Sequence, residues 1–393
     1  MIYFAELFMT GGQHTAFNAG MLQVFAKTFP SQSIKLFAAH SHYRQLEKHL
    51  DSASPFVWSS TYVISNKSGN ILRWFLKFIN EFLQIFRLLC IARLKSVELV
   101  YFAFLSPIGQ YVVSLYARYF PLKGQQIIIT LHGLDLLRED KPRKRIDRFY
   151  AKLLKRAFSN AGKYKRYVVL EERVANYLLA EGYLQQKEII QIPHPYQFDV
   201  QSVTKPNTPL VFAHLGVARL DKHAAVFFEL AARCSEMVKE GKVVFQVIGP
   251  VLPEMKPYLN PWVKHVSTEA MLDHATYRQQ CLQAHYAVFF YDESSYTLTS
   301  SGAIIDAIAY QLPILALHSP AFDALLPIKP FPGKLYNSLD SLEQDIITLV
   351  QNHSEVYTRF QESFVALQHH YSIEHVARLM NSQVKMSSEK IVY

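Results

Sequence analysis

The stretch YTLTSSGAIIDAIAYQLPILA, residues 296–316, places a Ser-Ser-Gly turn directly ahead of an apolar helical run and then a Leu-Pro strand start. Backbone N–H groups at a glycine-containing helix N-terminus point outward unpaired, and the helix dipole adds about half a positive charge there, so a diphosphate is the natural guest. Ser300 and Ser301 offer hydroxyls that either cap the helix or reach a phosphate oxygen, and Tyr296 and Thr297 lead into the turn. Asp306 lies four residues past Gly302, one helical turn on, where a carboxylate suits the paired hydroxyls of a ribose. An ordinary βαβ unit with a capped helix fits the same letters.

Outward from this stretch, apolar runs alternate with helical patterns. Strands are expected at 2–8, 34–38, 98–104, 126–131, 167–170, 189–192, 210–215, 243–248, 286–291 and 313–317. Such alternation predicts an α/β protein built on parallel sheets. The 393 residues, half of them hydrophobic, suffice for two cores. The seam is expected at QFDVQSVTKPNTP, 197–209, which is polar and carries two prolines. Domains of 1–198 and 207–371 follow, with a C-terminal helix over 372–393 packing back on the first.

Charge divides at the same seam. Residues 1–200 carry 26 Lys and Arg against 14 Asp and Glu, a net +12, whereas the remainder carries 15 against 18, a net −3. The N-terminal half is therefore expected to meet something anionic, either nucleic acid or an acidic membrane surface. Cys90, Cys234 and Cys281 share no metal-ligand spacing, which sets aside zinc and disulfide scaffolds and points to reduced thiols in a cytosolic setting. The opening MIYFAELFMTGGQH has Glu6 inside its apolar run and no basic n-region, so it reads as a first strand rather than a signal peptide.

Two helices carry the membrane question. ILRWFLKFINEFLQIFRLLCIARLK, Ile71–Lys95, has a wide apolar face with Trp74, Phe75, Phe78, Phe82 and Phe86, and charges too frequent for a transmembrane span. It fits a helix lying in a membrane interface, and equally a core helix of a large sheet domain. PRKRIDRFYAKLLKRAF, 142–158, puts Ile146, Phe149, Tyr150, Leu153 and Leu154 on one stripe, expected to be core, while the cations from Arg143 to Arg156 crowd the rest. Those cations suit lipid headgroups. Nucleic acid is not expected, because no reading motif accompanies them.

Three further segments join the first. MTGGQHTAFNAGM, 9–21, has Gly11 and Gly12 ending strand one and opening a helix; ITLHGLD, 129–135, is an apolar strand followed by His132; HLGVARLDKH, 214–223, ends a strand at Gly216 with Lys222 six residues on. With FQVIGP at 245–250 and the 296–316 stretch, they resemble the GT-B glycosyltransferases, in particular the family 4-like branch, over nearly the whole chain. The resemblance implies two Rossmann-like, doubly wound parallel-sheet domains facing a cleft. It implies that Gly11 and Gly12 lie beside the acceptor and the transferred sugar, that His132 lies near that sugar, and that Gly216 and Lys222 bind phosphate. Two positions depart from the family pattern: Val217 stands where an Arg is usual, leaving Arg219 to take its role, and Leu298 stands where the first of two carboxylates is usual, Asp306 being the second.

No Asp-x-Asp occurs, so Arg219 and Lys222, rather than a metal, are expected to stabilise the diphosphate leaving group. His14 is a candidate base or acceptor contact, and a first-turn histidine is also often structural. His194 is a candidate lining residue, and Glu6 and Asp135 are alternative carboxylates for an inverting mechanism. The expected activity is metal-independent transfer of a sugar from a nucleotide-diphosphate sugar to a lipid-linked or surface-polysaccharide acceptor, without a cofactor, by a cytoplasmic protein held peripherally on the inner face of the plasma membrane. The alternatives are an inactive scaffold of the same shape and a sugar-nucleotide epimerase.

Overall fold

The apolar runs become parallel strands because their β-branched and aromatic side chains are covered on both faces of a sheet. The computed structural model describes residues 1–50, 56–64, 71–120, 124–138, 144–159, 165–198, 205–266, 271–292, 296–325 and 331–384. Its strands are β1 Ile2–Glu6, β2 Ile34–Ala39, β3 Phe56–Thr61, β4 Leu99–Phe104, β5 Gln126–Leu131, β6 Lys165–Val169, β7 Ile189–Gln191, β8 Leu210–Leu215, β9 Val243–Ile248, β10 Val263–Lys264, β11 Tyr286–Phe289, β12 Ile314–Leu317 and β13 Gly333–Tyr336. Its helices are α1 Thr15–Thr28, α2 His40–Leu46, α3 Ile71–Leu94, α4 Pro107–Tyr119, α5 Arg145–Ser159, α6 Glu172–Ala180, α7 Ala224–Arg233, α8 Ser235–Lys239, α9 His274–Gln283, α10 Gly302–Ala309, α11 Leu339–Tyr371 and α12 Ile373–Gln383.

Two units result. The first takes Met1–Gln197, Leu298–Ser300 and the chain from Tyr371 onward; the second takes Phe198–Thr297 and Ser301–His370. Among the described residues, the first unit's sheet has seven strands in the order β3-β2-β1-β4-β5-β6-β7. Alternate residues of β1 feed opposite layers: Tyr3 and Ala5 enter one apolar cluster, Ile2 and Phe4 the other. In the second layer α12 packs against α1, with Val376 and Met380 buried beside Phe25. Among the described residues, the second unit's sheet has six strands in the order β10-β9-β8-β11-β12-β13. Both are parallel, as the alternation implied, and Rossmann-like and doubly wound, as the resemblance implied.

The strands missing from the sequence reading are β3, β10 and β13, each an edge of its sheet. An edge strand is half-solvated and leaves no continuous apolar run; β3 is nowhere fully buried along its length.

The two basic helices differ from expectation in an instructive way. On α3, Glu81, Ile85, Leu88, Leu89 and Ala92 are buried, yet Leu72, Phe75, Leu76, Ile79, Phe82, Leu83 and Phe86 are exposed, so one helix has an apolar side inside and another outside. On α5 the expected core stripe holds only in part. Leu153 and Leu154 are buried, but Ile146 and Phe149 are half exposed, Ile146 in the first turn and Phe149 off the packed side that Ala151, Leu154 and Phe158 define. Arg143 and Pro142 lie outside the described residues.

Candidate functional site

In the second unit the order of strands reverses between β8 and β11, because β8 continues to β9 on one side and β11 to β12 on the other. Loops part at such a point, and the strand ends there form a natural ligand mouth. Gly216 follows β8 in a left-handed conformation at φ 83°, and Gly249 follows β9 at φ 150°. A Cβ on Gly249 would stand 2.2 Å from the Gly216 carbonyl oxygen, so the two turns touch through glycine backbone.

The chain then turns through Arg219–His223. Arg219 pairs with Asp221 at 2.7 Å, and His223, itself left-handed at φ 53°, brings Nε2 to 2.9 Å from Asp292 beyond β11. Lys222 Nζ would lie 3.7 Å from a Cβ on Gly216 and lies 5.8 Å from the centre of the Tyr296 ring. Beneath it, burial and the Lys222 charge push His214 down to about 3, so that imidazole is neutral. Tyr296 packs on Tyr291 at 4.4 Å, and the Tyr291 hydroxyl is 3.0 Å from Ser301 Oγ. Ser301 holds the N-cap position of α10 without a side-chain cap bond, its hydroxyl being used by Tyr291 instead, and Gly302 opens the helix.

Gly216, Lys222, Tyr296, Ser301 and Gly302 are thereby joined in one continuous set, with Thr297 directly after Tyr296. Asp306, one turn into α10, accepts a hydrogen bond from the Tyr277 hydroxyl at 2.8 Å. An ammonium, a guanidinium and a helix N-terminus around glycine turns make a site for an anion with several oxygens.

Leu298, Thr299 and Ser300 belong to the first unit. Leu298 is 3% exposed within its apolar core, which explains an apolar residue there: a carboxylate at that place would be buried unpaired. Asp135 anchors the segment, accepting from the Leu298 N–H at 3.0 Å and the Thr299 hydroxyl at 2.5 Å, and Arg173 donates to the Thr299 carbonyl at 3.3 Å. Ser300 meets Glu171.

The first unit has its own reversal, between β1 and β4. Glu6 ends β1 at a register shift and is fully buried. It accepts from the N–H groups of Phe8 and Met9 and from Asn18 Nδ2, yet burial still pushes its carboxyl up to about 7. Gly11 is left-handed at φ 63°, and so is His14 at φ 59°. The His14 ring stacks on His132 at 4.4 Å, and Phe17 meets His132 at 4.5 Å and His194 at 5.0 Å. His132 Nε2 donates to the Ala103 carbonyl at 2.8 Å, leaving Nδ1 as its lone-pair nitrogen. Burial holds His14 well below its usual range and brings His132 and His194 down to about 4. The three rings are neutral at neutral pH and suited to hydroxyl groups.

Sequence reasoning overlooked His42. Fully buried in the first turn of α2, it donates from Nδ1 to the Gly11 carbonyl at 3.0 Å and accepts at Nε2 from Asn18, 2.9 Å away, whose amide also donates to Glu6. The relay ties the glycine turn to the end of β1. Nothing in the local sequence signals it, because its members come from β1, α1 and α2.

Against solved structures, HepE from Anabaena, crystallised with UDP and glucose, matches with a TM-score of 0.65 at 12% identity over 97% of this chain and 98% of that one. A TarM variant from S. aureus, in complex with fondaparinux, alpha-GlcNAc-glycerol and UDP, matches at 0.61 with 13% identity over 97% and 99%. A glycosyltransferase from Rickettsia africae matches at 0.60 with 12% identity over 96% and 95%. The fold is therefore the GT-B one. No protein-family model matches the chain, and no curated protein does.

Proposed function

We propose that the chain is a glycosyltransferase, moving a sugar from a nucleotide-diphosphate sugar to a lipid-linked or surface-polysaccharide acceptor. The observation that carries this reading is Lys222 above the Gly216 turn at the β8/β11 reversal, with the N-terminus of α10 joined to it through Tyr296, Tyr291 and Ser301. Those groups receive the diphosphate and take up the negative charge that develops as the glycosidic bond breaks, so the step needs no metal. Asp306, oriented by Tyr277, accepts from the ribose hydroxyls. Arg219 contributes charge once Asp221 yields it, and the His14–His132 pair with Gly11 and Gly12 meets sugar or acceptor hydroxyls. Solved structures of this fold with UDP bound support the choice of guest.

Localisation at the inner face of the plasma membrane is part of the same reading. The outer side of α3 presents an apolar stripe from Leu72 to Phe86, about 21 Å long, and α5 presents Arg148, Lys152 and Arg156 with Ile146 and Phe149. A stripe of this size beside cations fits an anionic bilayer surface, whereas no helix among the described residues is long and apolar enough to cross one. Calorimetry with UDP and UDP-sugars tests the core of the proposal: Lys222→Ala and Asp306→Ala should each abolish transfer, and full activity in either sinks the assignment. Binding without turnover would mark a scaffold instead.

A further inference from the structure

A cavity of about 490 Å³ opens in the first unit at the C-terminal ends of β2 and β3, where His40, Ser41, Ser60, Thr61, Gln84 and Arg87 are among its lining residues. That volume holds a sugar residue with room to spare. Its wall is secured by α3, whose Asn80 donates to the Tyr62 carbonyl at 2.7 Å. Four features give it chemistry. Hydroxyl, amide and imidazole groups dominate the lining, which suits a ligand rich in hydroxyls. The Tyr62 ring is 72% exposed at the rim, an apolar face on which a pyranose can lie. Thr61 Oγ1 is buried and lacks a hydrogen-bond partner among the described residues. Arg87 has no acidic partner among them either. The cavity also adjoins the glycine turn, since Ser41 Oγ accepts from the Gly11 N–H at 3.4 Å.

We propose that this cavity is a subsite for an acceptor saccharide bearing an anionic group, a carboxylate or a phosphate, with Arg87 as its counter-ion and Ser41, Ser60 and Thr61 on its hydroxyls. Guanidinium is the side chain best matched to either anion, through paired N–H donors. The subsite deepens the transferase reading and rests on it for the word acceptor, but its occupancy is measurable without turnover. The lining residues differ from those assigned to the nucleotide, so the two sites can fail separately.

The experiment is saturation-transfer NMR and calorimetry on the full chain with four probes: glucose, glucuronate, glucose 6-phosphate and inorganic phosphate. Glucuronate or glucose 6-phosphate should bind about tenfold or more tightly than glucose, the worth of one charge-assisted hydrogen bond, and Arg87→Gln should erase that preference. The stronger of the two charged sugars identifies the anion. Thr61→Val, which keeps shape and loses the hydroxyl, should weaken both charged sugars. Three results overturn the proposal: no preference for a charged sugar, a preference that survives Arg87→Gln, or inorganic phosphate binding as well as glucose 6-phosphate, which would make Arg87 a site for phosphate alone, as in a lipid headgroup. UDP titration of the wild type is run alongside. Binding of UDP without any charged sugar removes the subsite and leaves the transferase reading intact, and the converse result removes that reading and leaves the subsite.

Discussion

At the end of β1 the first unit gathers Glu6, His14 and His132 in a desolvated setting; at the end of β8 the second gathers Lys222, Arg219 and His223 on a turn open to water. The topology of the two reversals is alike, and the chemistry is opposite. Burial strips charge from the first set, so its rings and carboxyl sit neutral or near balance at neutral pH, able to exchange hydrogen bonds with hydroxyls. The second set stays partly exposed, with Arg219 paired to Asp221 and His223 set against Asp292. One parallel-sheet plan thus supplies a desolvated strand end in one unit and a solvated one in the other.

The sharpest way to break this contrast is at Gly249. Because a Cβ there would press on the Gly216 carbonyl, Gly249→Ala should displace the Gly216 turn and lower UDP affinity by about a hundredfold or more, whereas unpaired surface substitutions rarely exceed a few-fold. Titration calorimetry decides it, and unchanged affinity would mean that the turn does not hold the diphosphate. On the first unit, Phe75→Ser and Phe82→Ser on the outer side of α3 should each weaken sedimentation with anionic vesicles by about tenfold, as expected for withdrawing one large apolar side chain from the interface. Vesicle binding that survives the double variant removes the membrane from the account.

A smaller effect separates hydrogen bonding from packing at His42. Gln offers an amide donor and a carbonyl acceptor in place of the N–H and lone-pair nitrogen of the neutral imidazole, while Phe preserves only the ring. His42→Phe should therefore lower kcat about tenfold and shift the His14 and His132 NMR signals, with His42→Gln close to wild type. The reverse order would make His42 a packing residue.

The smallest expected change is in stability against pH. His132 titrates near 4 when folded and near 6.5 when unfolded, so between those values the unfolded chain binds the extra proton and stability falls as pH drops. Glu6 and Glu81, raised to about 7 by burial, act in the opposite sense, losing stability as pH rises from about 4.5 to 7. His132→Phe should flatten the acid side of the urea-unfolding profile by about 1–2 kcal/mol. An acid side as steep as in the wild type would show that His132 is charged in the folded protein.

Much of the fold was legible because buried strands announce themselves as predominantly apolar runs, and ten of them were anticipated along the chain. The edges β3, β10 and β13 were not, since half-solvated strands tolerate polar residues. Of the candidate site, Ser301 and Gly302 could be read from turn chemistry, and Gly216, Lys222 and His132 from the family resemblance. Leu298 read as a lost carboxylate, whereas its burial in the first unit's core gives it a packing role that no local pattern reveals. Ile146 and Phe149 read as core and are exposed, because periodicity shows which residues share a face without showing what covers it.

By itself the sequence determined the two parallel-sheet domains, the glycine turns and the helix behind Ser301, all properties of short-range patterning and backbone conformation. Tertiary structure alone decided which strands flank each reversal, that His42 and Asn18 reach the glycine turn, that Asp135 takes hold of Leu298 and Thr299, and which side of α3 meets solvent. Those depend on contacts between residues far apart in the chain, where solvation and partner geometry, rather than local propensity, set the free energy.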